Sequence, residues 1–251
     1  MTTLDFSIRK KEHHPISMVT CYDSTFARLV NESDVDCILI GDSLAMVIHG
    51  ENTTIPATID MMEMHTKAVR KGAPDKFIVA DMPFLATRKG LSYAVECAGR
   101  LLCAGANAVK IERISTQKET ISYLVESGIP VMAHLGLTPQ FYNTLGGHKR
   151  QGKTDTEAER IKKEAQLAVE CGCFSVLLEC IPPEIAADIT NSIDAATIGI
   201  GCGDGTDGQV LVLHDMLGLT ECAPKFVTKY MEGAALVKDA LNQYAAKVAA
   251  H

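Results

Sequence analysis

The sequence predicts a (β/α)8 barrel, and three observations lead there. Short apolar, β-branched runs recur eight times along the 251 residues, amphipathic stretches separate them, and polar residues with chemical capacity end the runs. Runs that are apolar throughout suit parallel strands covered on both faces.

In chain order the runs are Ile16 to Cys21, Cys37 to Ile40, Phe77 to Ala80, Ala108 to Ile111, Pro130 to Ala133, Ser175 to Leu178, Thr197 to Ile200, and Gln209 to Leu213. Between them, Met61 to Lys71, Leu91 to Cys103, Gln117 to Ser127 and Glu157 to Cys171 carry apolar residues at helical spacing. Gly105, Gly128 and Gly172 stand where such helices stop before the next strand. A last, alanine-rich helix is expected from Gly233, either completing the barrel or packing on a neighbour. Residues 1–251 contain no linker, repeat or low-complexity stretch and read as one domain. A doubly wound sheet would show the same alternation, because counting strands does not prove closure.

The chain is 47% hydrophobic, enough for a sizeable core, yet it has no apolar tract of the ~18 residues that a membrane span needs. A formal charge of -7 leaves no basic field for nucleic acid. The opening MTTLDFSIRKKEHH has no apolar core of a signal peptide, so the expected location is the cytoplasm. Nine scattered cysteines, several inside apolar runs, suit reduced thiols. Cys171 and Cys173 lack a matching second pair and read as small buried hydrophobes, not zinc ligands.

The stretch GHKRQGKT, Gly147 to Thr154, fits the phosphate-loop pattern G-x-x-x-x-G-K-[ST]. That loop needs a buried strand running into it, and here the preceding residues are Thr-Pro-Gln-Phe-Tyr-Asn-Thr-Leu-Gly. A helix does follow, with Thr154 and Glu157 spaced as a capping box. The stretch therefore reads as a charged loop leading into a capped helix.

Active barrels gather their chemistry at the carboxyl ends of the strands. Run two ends in Gly41-Asp42-Ser43, run three in Asp81, run four in Lys110-Ile-Glu112, run five in His134, run six in Glu179, run seven in Gly201-Cys-Gly203 and run eight in His214-Asp215. Each residue alone has a structural reading as a cap, a turn holder, an ion pair or a core histidine. Together, Asp42, Asp81 and Glu112 form a hard, oxygen-only ligand set that suits Mg²⁺. Lys110 and His134 are placed to ground a substrate carboxylate or polarise its carbonyl, and Glu179 to move a proton. The combination points to enolate chemistry on an oxo acid.

These residues sit in a colinear set of segments: MVTCYD from Met18, Gly41-Asp-Ser43, TKAVRKGAP from Thr66, ADMPF from Ala80, GANAVKIE from Gly105, HLGLTPQ from His134, Leu178-Glu-Cys180, GIGCG from Gly199, TDGQ from Thr206 and His214-Asp215. The set closely resembles the ketopantoate hydroxymethyltransferase family over nearly the whole chain. The resemblance implies a (β/α)8 enzyme of pantothenate and coenzyme A biosynthesis. Its one-carbon unit would pass from 5,10-methylenetetrahydrofolate to 3-methyl-2-oxobutanoate, giving 2-dehydropantoate and tetrahydrofolate. By motif, the resemblance makes Asp42 and Asp81 direct Mg²⁺ ligands that also contact substrate. Glu112 becomes the third metal-site carboxylate, Ser43, Lys110 and His134 substrate contacts, and Glu179 the general base. It also implies a homodecamer of two pentameric rings. Family members carry a Gly-Gly-aromatic-x-x-Gln-Gly-basic loop after HLGLTPQ, which here reads Gly146 to Lys153, so the phosphate-loop spelling is a local variation on it. Cys202 departs from the small alanine usual in the seventh loop. Two rival readings are a phosphoenolpyruvate mutase or isocitrate lyase relative, against which no Lys-Lys-Cys-Gly-type loop is found, and a ligand-binding barrel without turnover.

Overall fold

A computed structural model describes residues 1–250. The first half runs α1 (Thr3–Lys11), β1 (Ile16–Thr20), α2 (Ser24–Asn31), β2 (Cys37–Ile40), α3 (Leu44–Val47), α4 (Ile59–Gly72), β3 (Phe77–Asp81), α5 (Leu91–Ala104) and β4 (Ala108–Glu112). The second half runs α6 (Lys118–Glu126), β5 (Val131–Gly136), α7 (Tyr142–Leu145), α8 (Asp155–Glu170), β6 (Ser175–Glu179), α9 (Pro183–Ser192), β7 (Ala196–Ile200), β8 (Gly208–Leu211), α10 (Leu213–Met216) and α11 (Gly233–Ala249). The eight strands close into a barrel in sequence order, and every recorded pairing is parallel. Closure decides between the barrel and the doubly wound sheet. The chain forms two compact units, Met1–Val210 and the remainder from Leu211. No helix among the described residues is long and apolar enough to cross a membrane.

Local sequence sets the helix ends. Asp23 caps α2 by accepting hydrogen bonds from the Thr25 and Phe26 amides at 2.7 and 3.0 Å. Gly105 ends α5 in the left-handed region at φ 114°, a conformation that side chains disfavour. At the start of α8, Thr154 accepts from the Glu157 amide, but the Glu157 carboxylate takes the Lys153 amide rather than that of Thr154. The expected capping box is therefore shifted by one residue, which anchors the loop as well as the helix.

The inside of the barrel is filled by alternate residues of the strands. Ile16, Met18, Cys37, Leu39, Phe77, Val79, Ala108, Met132, Leu177, Ala196, Ile198 and Val210 form one buried cluster with Phe6 of α1. Helix α1 lies outside the stretches whose spacing reads as helical, and only Phe6 on it is buried. The Phe6 ring meets Phe77 and Phe174 edge-on at centroid distances of 5.4 and 5.0 Å. Lys10 pins the same helix by donating to Thr190 O at 2.7 Å and Asp207 Oδ2 at 2.8 Å. Phe77 opens β3 and Asp207 precedes β8, so α1 plugs the amino-terminal end of the barrel. All nine cysteines are free thiols.

Phe6→Ala is expected to cost about 3–5 kcal/mol in chemical denaturation, because the site is held from several sides and collapses poorly. A loss below about 1 kcal/mol would mean that Phe6 is not a plug.

Candidate active site

Residues two apart on a strand share a face. Val79 on β3, Ala108 on β4, Met132 on β5 and Leu177 on β6 belong to the internal core. Asp81, Lys110 with Glu112, His134 and Glu179 continue these same series to the carboxyl ends. Register then aligns them sideways, Asp81 beside Lys110 and Glu112 beside His134. Asp42 and Ser43 arrive from the turn after β2. Gly41 leaves room for the Ser43 hydroxyl as it is placed, since a Cβ there would lie 2.6 Å from Ser43 Oγ.

Asp42, Asp81, Lys110, Glu112 and His134 are each no more than 4% exposed, whereas the Glu179 side chain keeps 18% of its surface. The Asp42 amide donates to Asp81 Oδ2 at 2.9 Å. Lys110 Nζ lies 3.1 Å from Asp81 Oδ1 and 2.9 Å from His134 Nδ1. A lysine ammonium only donates, so Nδ1 accepts and a neutral His134 carries its proton on Nε2. That nitrogen lies 3.1 Å from Glu179 Oε2. With Nδ1 engaged by Lys110, the 3.4 Å approach of Glu112 Oε1 to Nδ1 is a contact without a shared proton. Consistently, Glu112 Oε1 is buried without a hydrogen-bond partner, and Asp81 Oδ1 is met only by the Lys110 ammonium.

Three buried carboxylates thus face one ammonium. Burial, then repulsion from Asp81 and Glu112, pushes the Asp42 carboxyl well above the usual carboxylate range. Burial pushes Glu112 up to about 8 against the pull of Lys110. For Lys110 burial works the other way, yet attraction to Asp81, Glu112 and Asp42 prevails and raises it. Burial and the Lys110 charge hold His134 below the ordinary imidazole range, in keeping with its neutral tautomer.

Two residues of the site have no role in the sequence reading. Gln140, in the turn after β5, donates from Nε2 to Asp42 Oδ2 at 2.8 Å and to Met82 O at 2.9 Å, while its amide donates to Glu112 Oε2 at 3.1 Å. Tyr22, fully buried after β1, shares a 2.8 Å hydrogen bond between its hydroxyl and Ser43 Oγ. Both lie inside quoted motifs, HLGLTPQ and MVTCYD, which is the signal that could have marked them. Arg113 and Cys180, the residues directly after Glu112 and Glu179, take left-handed backbone at φ 58° and 48°. Such strain costs about 1–3 kcal/mol and collects at functional rims.

Other motif residues fall elsewhere. His214 and Asp215 lie in α10 of the second unit, where Thr220 Oγ1 donates to Asp215 Oδ1 at 2.6 Å. Cys202 is buried, its thiol 3.3 Å from Leu178 O. No strand enters Gly147 to Thr154, which runs from α7 to α8. That loop seats on the end of β6 through a 3.0 Å bond from the Gln151 amide to Cys180 O.

Among the described residues, no three His, Cys, Asp or Glu side chains converge tightly enough to enclose a metal unaided. Mg²⁺ does not require it, since it keeps several waters and takes one or two carboxylates. Three buried carboxyl groups against one ammonium, with Glu112 Oε1 lacking a donor, fit such a cation, with Asp42 and Asp81 as candidate ligands and Glu112 alongside.

A closed barrel bearing a buried carboxylate, lysine and histidine layer at its strand ends is the architecture of a barrel enzyme. The family model described as ketopantoate hydroxymethyltransferase matches residues 1–251. A 3-methyl-2-oxobutanoate hydroxymethyltransferase of Legionella pneumophila subsp. pneumophila is 52% identical over 246 residues, 97% of this chain and 94% of that one. Its namesake from Francisella tularensis subsp. novicida is 49% identical over 244 residues, covering 97% and 92%. The chain belongs to the ketopantoate hydroxymethyltransferase family and is an enzyme. Among solved structures, a 2,3-dimethylmalate lyase of the phosphoenolpyruvate mutase/isocitrate lyase superfamily superposes with TM-score 0.66 over 97% of this chain and 84% of its own, at 14% identity. A phosphoenolpyruvate phosphomutase from Streptomyces platensis subsp. rosaceus gives 0.65 over 85% and 82%, at 11% identity. These two share the fold with the chain.

Gln140→Ala removes the side-chain donor to Asp42 and the bond that ties it to Met82 O. Divalent-cation binding, followed by Mn²⁺ titration, is expected to weaken about 10- to 100-fold, as for other partners of metal ligands. Unchanged affinity would show that Asp42 is oriented by other means.

Proposed function

We propose that the chain catalyses transfer of the one-carbon unit of 5,10-methylenetetrahydrofolate to 3-methyl-2-oxobutanoate. Water is consumed, and the products are 2-dehydropantoate and tetrahydrofolate. The observation that carries this reading is the Glu179 carboxylate, partly exposed and 3.1 Å from His134 Nε2, at the edge of the buried Asp42, Asp81, Lys110 and Glu112 layer. The names of the relatives support the same reaction.

The side chains divide the work. Glu179 takes the proton from C3 of the oxo acid. His134, whose Nε2 carries the proton because Nδ1 is engaged by Lys110, stands 3.1 Å from that carboxylate and can take a share of its charge. Lys110 supplies fixed positive charge toward the substrate carboxylate and the developing enolate oxygen. Ser43, held by Tyr22, offers a hydroxyl to the same substrate. Asp42 and Asp81, with Glu112, would hold Mg²⁺, which when bound supplies the charge that makes the C3 hydrogen acidic. The enolate carbon then bonds to the methylene carbon of the donor as one of its two bonds to folate nitrogen breaks; a water oxygen takes the place of the second nitrogen, and the proton from C3 and one from water end on the two nitrogens, leaving the hydroxymethyl group and tetrahydrofolate. Burial excludes bulk water from the acidic layer and strengthens each electrostatic contact. The reading extends to a cytoplasmic homodecamer of two pentameric rings in pantothenate and coenzyme A biosynthesis, with sedimentation velocity as the check on assembly.

Proton NMR of 3-methyl-2-oxobutanoate in D₂O with the enzyme and Mg²⁺ tests the first half-reaction. The C3 proton signal is expected to disappear, to persist with EDTA, and to be lost about 10²- to 10⁴-fold more slowly with Glu179→Gln. Exchange unaltered by that substitution would remove Glu179 from the role of base. Formation of 2-dehydropantoate on adding the folate donor tests the second half; its absence would reject the donor.

A further inference from the structure

We propose that Arg88 and Arg113 form an anion-binding lane at the barrel mouth that receives the glutamate-tail carboxylates of the one-carbon donor. The inference rests on the folate reading above and deepens it. Arg113 directly follows Glu112, and its amide donates to His134 O at 3.2 Å, so its backbone borders the acidic layer. Its guanidinium lies 4.4 Å from the centroid of the Phe141 ring, next in sequence to Gln140, which bonds Asp42 and Glu112. Arg88 comes from the loop after β3 and reaches the same place: its Nη2 donates to Thr116 Oγ1 at 2.7 Å. The two loops are laced together by Thr87 donating to Gln117 Oε1, while Gln117 Nε2 donates to Arg113 O at 3.0 Å. The loops that carry the two arginines are thereby held together.

Neither arginine takes part in an ion pair among the described residues. In a chain of net charge -7, two cations without a carboxylate partner on loops at the strand ends leave positive charge free for an anion. Their mutual repulsion is felt, since partial burial and then the Arg113 charge hold Arg88 below its ordinary range. An arriving anion relieves that repulsion. The planar fork of arginine suits carboxylates in particular, and Arg113 is already flattened on an aromatic face. The oxo acid is small, and its carboxylate and carbonyl are already assigned to Lys110 and the acidic layer. A reduced folate is long, reacts at one end and carries one or more glutamate carboxylates at the other. With its methylene at Glu179, its tail leaves through the mouth, past Arg113 toward Arg88.

The test compares KM for monoglutamyl and pentaglutamyl 5,10-methylenetetrahydrofolate at saturating oxo acid and Mg²⁺. The natural enzyme is expected to favour the pentaglutamate by roughly three- to tenfold, the scale of a few partly screened charge pairs, and to lose the preference at high salt. In the double variant Arg88→Gln, Arg113→Gln the KM ratio should fall to about one, while Arg88→Lys, which keeps the charge, retains most of it. Arg28→Gln, which removes an exposed arginine of α2, should leave the ratio as it is. Equal KM values for the two donors in the natural enzyme, or a preference that survives the double variant, would overturn the lane and leave the folate reading intact. Failure to form product from either donor would reject the folate reading itself, and the lane with it.

Discussion

Asp42, Asp81 and Glu112 are buried around a single ammonium, that of Lys110. A carboxylate taken out of water costs several kcal/mol unless it is paired, and an unpaired buried charge left by removal of its partner costs about 3–5 kcal/mol. The layer tolerates itself only because each group meets a donor from another strand or turn. Asp42 has Gln140, Asp81 has the Asp42 amide and Lys110, and Glu112 has the Gln140 amide. Even so, Glu112 Oε1 remains without a donor, Asp81 Oδ1 has only the Lys110 ammonium, and Asp42 and Glu112 are pushed above the ordinary range. The site is built for additional positive charge.

The barrel makes that arrangement rigid. Inward-facing apolar residues fill the strands below the layer, and Phe6 closes the far end, so the strand ends cannot spread to relieve repulsion. Parallel register fixes which charges are neighbours, since a slip of one residue would turn Lys110 or His134 out of the barrel. The loops then fix what register cannot. Gln140 ties the ends of β2, β3 and β4 together, and the segment after α7 rests on the end of β6. Left-handed backbone at Arg113 and Cys180 shows that the chain accepts local strain to leave the strands sharply at these positions.

How much of this could be read from residues alone follows from the same physics. The eight strands are legible because a parallel strand covered on both faces is apolar throughout, and a polar residue that ends such a run stands out. Asp81, Lys110, Glu112, His134 and Glu179 were visible for that reason. Gln140 and Tyr22 were not, because their importance lies in contacts across 98 and 21 residues that no local pattern announces. Helix α1 hid because it buries one side chain only. The phosphate-loop spelling of Gly147 to Thr154 misleads only when taken without its context: α7, not a strand, leads into it. Which carboxylates crowd one another, and which imidazole nitrogen carries the proton, required distances.

The central claim is that the buried acidic layer is a cation site for an oxo acid. Anomalous diffraction from crystals soaked with Mn²⁺ and 3-methyl-2-oxobutanoate tests it most directly. One strong peak is expected within ligand distance of Asp42 and Asp81, about 2.1–2.2 Å, with the oxo acid lying between that peak, Lys110 and Glu179. A peak placed elsewhere, or an oxo acid bound in this layer with no metal beside it, would mean that the layer is not a cation site.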